Sequence, residues 1–125
     1  MMRTSQLTLF ALVVGTMVGS SSVAQAQGSA EAARGKSVWF NHSCDGCHSI
    51  GFGVRAGPDL QGVTERRTKE WLRKWLRDPD QMLASDPLAK QILKEAHGIK
   101  MPNTHLSDAD TDAVIAYLAA ASRKK

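Results

Sequence analysis

The sequence predicts an all-α protein, about four helices joined by long loops. Three observations predict it. Apolar side chains recur at helical spacing in several stretches, some of them opened by a Ser or Asp that suits a helix N-cap. Residues 50–62 are rich in glycine, with Gly51, Gly53, Gly57, Pro58 and Gly62, which is loop chemistry. No β-type alternation and no internal repeat interrupts the helical pattern.

The first 26 residues read as a separate element. Arg3 is their only charged side chain, and an apolar run follows over residues 7–18. Such a run has the length of a signal h-region. It is short for a membrane span, which needs roughly 17 residues or more. Ala24-Gln25-Ala26 then supplies the small-x-small pattern that a signal peptidase reads, so cleavage is expected before Gln27. The expected organisation is a signal peptide over 1–26 and one small domain over 27–125, exported to the periplasm. Removing Arg3 lowers the formal charge from +4 to +3. That excess is too small to indicate nucleic acid, and no basic stripe with stacking aromatics accompanies it.

The domain should open with a helix over 29–41, capped by Ser29, with Ala30, Ala33 and Val38 to Phe40 as apolar positions. After the glycine-rich loop, residues 68–77 read as a second helix with Trp71, Leu72, Trp75 and Leu76 on one face. Arg66, Arg67, Lys69, Arg73, Lys74 and Arg77 crowd the other side; this is either a solvated face or a docking patch for an acidic partner. Asp78-Pro79 should end that helix, because the residue before proline avoids the helical region. A third helix is expected from Pro87, capped by Asp86 or Ser85, with Leu88, Ile92, Leu93 and Ala96 inward and Gly98 as its stop. Residues 99–105 form a loop carrying Met101-Pro102. The last helix should start near Ser107, where Asp108, Asp110 and Asp112 suit the N-terminal dipole, and bury Val114, Ile115, Tyr117 and Leu118.

The chemistry lies in Cys44-Asp45-Gly46-Cys47-His48, the attachment pattern for c-type haem. Two thiols at this spacing reach the two vinyl groups on one porphyrin edge and form thioethers. The histidine immediately after them is carried beneath the ring, where its imidazole can bind iron. Two rival readings exist. A C-x-x-C in an oxidising compartment can be a redox dithiol, and two cysteines with a histidine can hold zinc. A structural zinc site usually wants four ligands, and no second cysteine pair exists. A disulfide closing so short a loop would stabilise little.

With these residues the chain resembles the class I mono-haem cytochromes c over nearly all of 27–125. The resemblance rests on Trp39-Phe40 before the cysteine motif, Gly57-Pro58-Asp59-Leu60 after it, Met101-Pro102, and a final helix bearing Tyr117-Leu118. It implies a cytochrome c fold wrapped around one covalently bound haem c, with the last helix packed across the first. It also implies that the Pro58 carbonyl accepts a hydrogen bond from His48. Relatives usually place a small residue eight positions before the first cysteine. Here Lys36 stands there and Gly35 one position earlier, which leaves the register of the helix crossing open.

The expected cofactor residues are thus Cys44 and Cys47, with His48 and Met101 as iron ligands. A thioether ligand favours the ferrous state and raises the potential. The competing sixth ligands are Met82, or one of His42, His97 and His105; each of these also has an ordinary packing or surface role. Trp71 and Trp75 read as core, and Trp71 or an adjacent arginine as a propionate contact. The expected function is a single-electron carrier, not an enzyme, exchanging electrons with redox protein partners and meeting a membrane only through them. The alternatives are a haem subunit held permanently to a periplasmic oxidoreductase, and a haem sensor or enzyme. Met101-Pro102 argues against the last.

Overall fold

The computed structural model describes residues 20–123. Residues 1–19 of the expected leader lie outside the described residues. The described chain contains six α-helices and no strand: α1 (Ser20–Asn41), α2 (Val63–Arg66), α3 (Lys69–Arg77), α4 (Pro79–Ser85), α5 (Pro87–Glu95) and α6 (Asp108–Ser122), with a 3-10 turn at Cys44–Gly46. The four helices expected from the sequence are all present. Among the described residues no helix is long and apolar enough to cross a membrane.

Two short helices exceed the expectation. Asp78 does end α3, but it also starts α4: its side chain accepts from the backbone N–H of Gln81 at 2.9 Å, and Pro79 takes the first helical position. Proline there loses no intrahelical bond, so one dipeptide both closes and opens a helix. Similarly, α1 runs upstream of Ser29. That serine sits inside the helix, and its hydroxyl donates back to the Ala26 carbonyl at 2.8 Å instead of capping. Residues 24–31 of α1 are exposed, and burial begins at Ala32. The other caps follow the sequence. Thr68 accepts from Trp71 N, Asp86 from Ala89 N and Ser107 from Asp110 N. In α5 the buried face is turned slightly: Ala89 is fully buried, while Leu88, Ile92, Leu93 and Ala96 are half-buried.

The core forms where α6 lies across α1 and α3. Val38 and Trp39 of α1, Leu72 and Leu76 of α3, and Val114, Ile115 and Leu118 of α6 make one cluster, closed by Leu106. Gly35 settles the register of the crossing. A Cβ at that position would overlap the Ala113 carbonyl and approach Tyr117 Cβ to 2.9 Å. The two backbones therefore touch at Gly35, and Lys36 points to solvent.

Ion pairs frame the same contact. Arg34 meets Asp110 at 2.7 Å, Arg73 and Lys69 meet Asp112 at 2.8 and 3.4 Å, and Arg77 pairs with Asp108. Lys74 pairs with Glu70 within α3 at 2.9 Å. Exposed pairs of this kind contribute about 0–1 kcal/mol each. Their larger consequence is that the basic face of α3 is mostly matched by carboxylates of its own chain.

Candidate functional site

The end of α1 delivers the thiols. Ser43 takes a left-handed conformation, φ 54°, and turns the chain out of α1 into the 3-10 turn. Cys47 N and His48 N both donate to the Cys44 carbonyl, at 3.2 and 2.9 Å. This wraps the pentapeptide into a single turn, with Cys44 half-buried, Cys47 exposed and His48 directly after them. No disulfide joins the two cysteines.

The glycine-rich loop then folds back under His48. Gly57 N donates to the Cys47 carbonyl at 2.8 Å. A Cβ at Gly57 would come within 2.8 Å of His48 Nδ1, so only glycine lets the loop lie against the imidazole. His48 Nδ1 lies 2.9 Å from the Pro58 carbonyl oxygen. A carbonyl can only accept, so Nδ1 carries the proton. The lone pair of Nε2 is left for a metal, the usual arrangement of a ligating histidine. Trp39, buried behind the site, stands between the His48 ring at 6.4 Å and the Tyr117 ring at 6.0 Å.

Asp59 holds this loop in shape. Its carboxylate accepts from Gly51 N at 2.7 Å, Gln61 N at 2.8 Å and Gly53 N at 2.7 Å. These bonds, that from Gly51 foremost, pull its pKa down to about 2. An unfolded aspartate titrates near 3.9. The folded pKa is depressed, so the stabilisation is present above about pH 4 and lost as pH falls through about 2. Asp59→Asn should remove that acid transition and cost about 1.5 kcal/mol at neutral pH, the low end for a hydrogen bond to a charged group. Acid titration followed by circular dichroism of both proteins checks this. Identical acid curves would mean that another group unlatches the loop.

Met101, on the loop between α5 and α6, packs against the main core, as do Cys44, Ile50, Leu60, Val63, Trp71 and Tyr117. Its sulfur accepts a hydrogen bond from Trp75 Nε1 at 3.1 Å. Met82 is buried in α4 but lies outside that cluster. His42, His97 and His105 are exposed, the last two at positive φ. Met101 and Cys44 thus pack against the same core cluster, whereas the three histidines are exposed.

The donor chemistry decides among the readings of the thiols. Burial pushes the Cys44 thiol pKa up. A redox dithiol needs the opposite, a thiolate stabilised near neutrality. Among the described residues no group of three or more His, Cys, Asp or Glu side chains converges to hold a metal ion, which does not suit zinc. A haem fits what is present. There are two thiols on one turn, an oriented imidazole, an apolar core beside them and a buried donor, Trp71 Nε1, with no hydrogen-bond partner among the described residues. That donor suits a propionate oxygen.

Fold and site together define a small helical protein built to carry covalently attached haem. Residues 32–122 match the family model Cytochrome c, and the chain belongs to that family. Among solved structures it is similar to a cytochrome c from Rhodothermus marinus, with TM-score 0.72 and 28% identity, covering 78% of this chain and 81% of that one. It is also similar to the cytochrome c domain of the pp3183 protein from Pseudomonas putida, with TM-score 0.64 and 38% identity over 72% of this chain and 89% of that one. Cytochrome c oxidase subunit 2 of Alkalihalophilus pseudofirmus is 35% identical over 95 residues, which are 68% of this chain and 24% of that much longer protein. The protein is a haem-based electron carrier, its haem c is covalently bound, and Cys44 and Cys47 fit the attachment motif.

The cysteine pair of the motif is plain in the sequence, and its spacing fits the family's attachment pattern. Sequence reasoning missed the bond from Trp75 to Met101, which joins residues far apart in the chain. The signal available was the polar handle of an otherwise apolar tryptophan. It also left Asp59 as part of a motif without a role.

Proposed function

We propose that the protein is a periplasmic single-electron carrier whose haem c, attached at Cys44 and Cys47, is ligated by His48 and Met101. Bound haem supplies a one-electron ferric/ferrous couple. The chain does the rest. The Pro58 carbonyl fixes the His48 tautomer, and Gly57 permits the close approach of the loop. Trp71 Nε1 donates to a propionate, and the core around Trp39 and Leu118 excludes water. The observation that carries the axial assignment is that Met101 packs against the same core cluster as Cys44, while His42, His97 and His105 are exposed.

The leader over 1–26 supports export. The α1 residues flanking the expected cleavage before Gln27, 24–31, are exposed, which leaves that bond accessible to a peptidase. Four of the six basic side chains that could meet an acidic partner, Lys69, Arg73, Lys74 and Arg77, are paired within the chain, which weakens that patch as the partner surface. The loop that carries His48 instead presents Phe52 and Val54, 87% and 79% exposed. An apolar contact there would leave electron transfer only weakly dependent on salt, since screening acts on charge.

A second reading is a haem unit held permanently to an oxidoreductase, favoured by the likeness to an oxidase subunit. One experiment separates the two. The full chain is expressed with haem-attachment machinery, the cells are fractionated, and the haem protein is sized and its N-terminus sequenced. A shuttle appears as a free monomer in the periplasmic fraction, begins at Gln27 and titrates reversibly with one electron. Recovery only within a larger complex would favour the subunit, and recovery in the cytoplasm would overturn the export proposal.

A further inference from the structure

Trp71 and Trp75 both sit on the inner side of α3, four residues apart, with their rings stacked at 5.5 Å and 9°. They would count as simple core but for their nitrogens. Trp71 Nε1 is buried without a partner, whereas Trp75 Nε1 donates to Met101 Sδ at 3.1 Å. A thioether is a weak acceptor, and an indole N–H is a donor only. The bond is therefore a choice of geometry: a half-buried N–H is aimed at the one sulfur on the methionine loop. The stack with Trp71, itself under the Arg67 guanidinium at 5.8 Å, keeps the Trp75 ring from turning away.

We propose that Trp75 is a positioning residue for the thioether ligand, holding one lone pair of Met101 Sδ by its indole N–H and presenting the other to iron. The proposal rests on Met101 being the ligand. Two consequences follow from the chemistry. A sulfur with one lone pair engaged is fixed in a single orientation, so the ligand is harder to displace. The N–H also draws electron density from the sulfur, making it a poorer donor, which favours the ferrous state. The electron still enters and leaves at iron, and no bond in the protein is made or broken.

The test uses the holo-protein and the conservative variant Trp75→Phe, which keeps an apolar ring and removes only the donor. Lys74→Gln is the control, since Lys74 is an exposed side chain on the same helix, paired only with Glu70, and its loss leaves the tryptophan pair and Met101 in place. A neutral hydrogen bond contributes about 0.5–1.5 kcal/mol. Its loss should shift the ferrous-to-ferric equilibrium roughly two- to tenfold toward ferric, at most about 59 mV for a one-electron couple. Added imidazole should displace the methionine from ferric Trp75→Phe more readily than from the wild type, by a smaller factor, because only the part of the bond present in the ferric state is lost there. Lys74→Gln should leave both the potential and the displacement unchanged.

A third measurement needs no variant. In the reduced protein the Trp75 indole N–H should exchange with deuterium slowly. Fast exchange in the wild type, or unchanged potential and displacement in Trp75→Phe, would reduce Trp75 to a packing residue. Met101→Ala keeps that failure distinct from failure of the ligand itself. If it abolishes the thioether-to-iron band while Trp75→Phe changes nothing, the ligand reading stands and this proposal falls. If the band survives Met101→Ala, both fall.

Discussion

Gly35→Ala is expected to destabilise the protein by about 3 kcal/mol or more, at or beyond the upper end of the usual cost of overpacking. Most small-to-large changes are softened because side chains yield. Here the added methyl meets the Ala113 carbonyl, which is backbone inside α6, and Tyr117 Cβ behind it. Relief requires α6 to move off α1, which also loosens Val38, Trp39, Val114 and Leu118. For a domain of this size each kcal/mol lowers Tm by about 4–8 °C, so a fall of at least roughly 12 °C is expected in a melting curve of the holo-protein. Lys36→Ala, one residue away and exposed, should melt within a degree or two of the wild type, because surface changes usually fall within about ±0.5 kcal/mol. Equal melting of Gly35→Ala and wild type would mean that the helices do not touch there.

The second large effect concerns attachment. Cys44→Ala/Cys47→Ala should reduce the yield of covalent holo-protein to background, since neither thioether can form. In wild type the haem should stay with the polypeptide through acid-organic extraction, and in the double variant any bound haem should partition into the solvent. The variant should also fold poorly. A domain of this size buries a limited fraction of its surface, and the half-buried residues around Cys44, Ile50, Leu60 and Met101 lose the apolar group they enclose. Circular dichroism with limited proteolysis measures that loss. Release of free haem from correctly matured wild type would refute covalent attachment.

The sequence and the fold agree most closely where the chemistry is local. The cysteine motif is legible because thioether spacing and the following imidazole are fixed over five consecutive residues. The starts of α3, α5 and α6 are legible because a cap acts on an amide two or three residues away, as Thr68, Asp86 and Ser107 do. The double role of Asp78 was hidden because a helix stop and a helix start use the same dipeptide. Tertiary features were harder to read. Gly35 and Lys36 compete for one crossing, and only the approach of Ala113 decides between them. The basic run of α3 and the acidic start of α6 are each plain in the sequence, the first as a solvated face or docking patch and the second as a complement to a helix dipole. That they neutralise one another follows only from α3 packing on α6. The bond from Trp75 to Met101 has the same origin.

The account turns on Met101, and the most direct measurement is the visible spectrum of the ferric protein at neutral pH, followed by exposure of the ferrous form to carbon monoxide. A thioether sulfur on ferric iron gives a weak band near the red end of the visible range. Wild type and Met82→Ala should both show it and should bind carbon monoxide slowly, because the sixth position is filled. Met101→Ala should lose the band, bind carbon monoxide readily and have a lower potential, since the ferrous state loses the soft ligand that favours it. Rapid carbon monoxide binding by the wild type, or a band that survives Met101→Ala, would contradict the assignment and make this a haem with a reactive or histidine-filled sixth position.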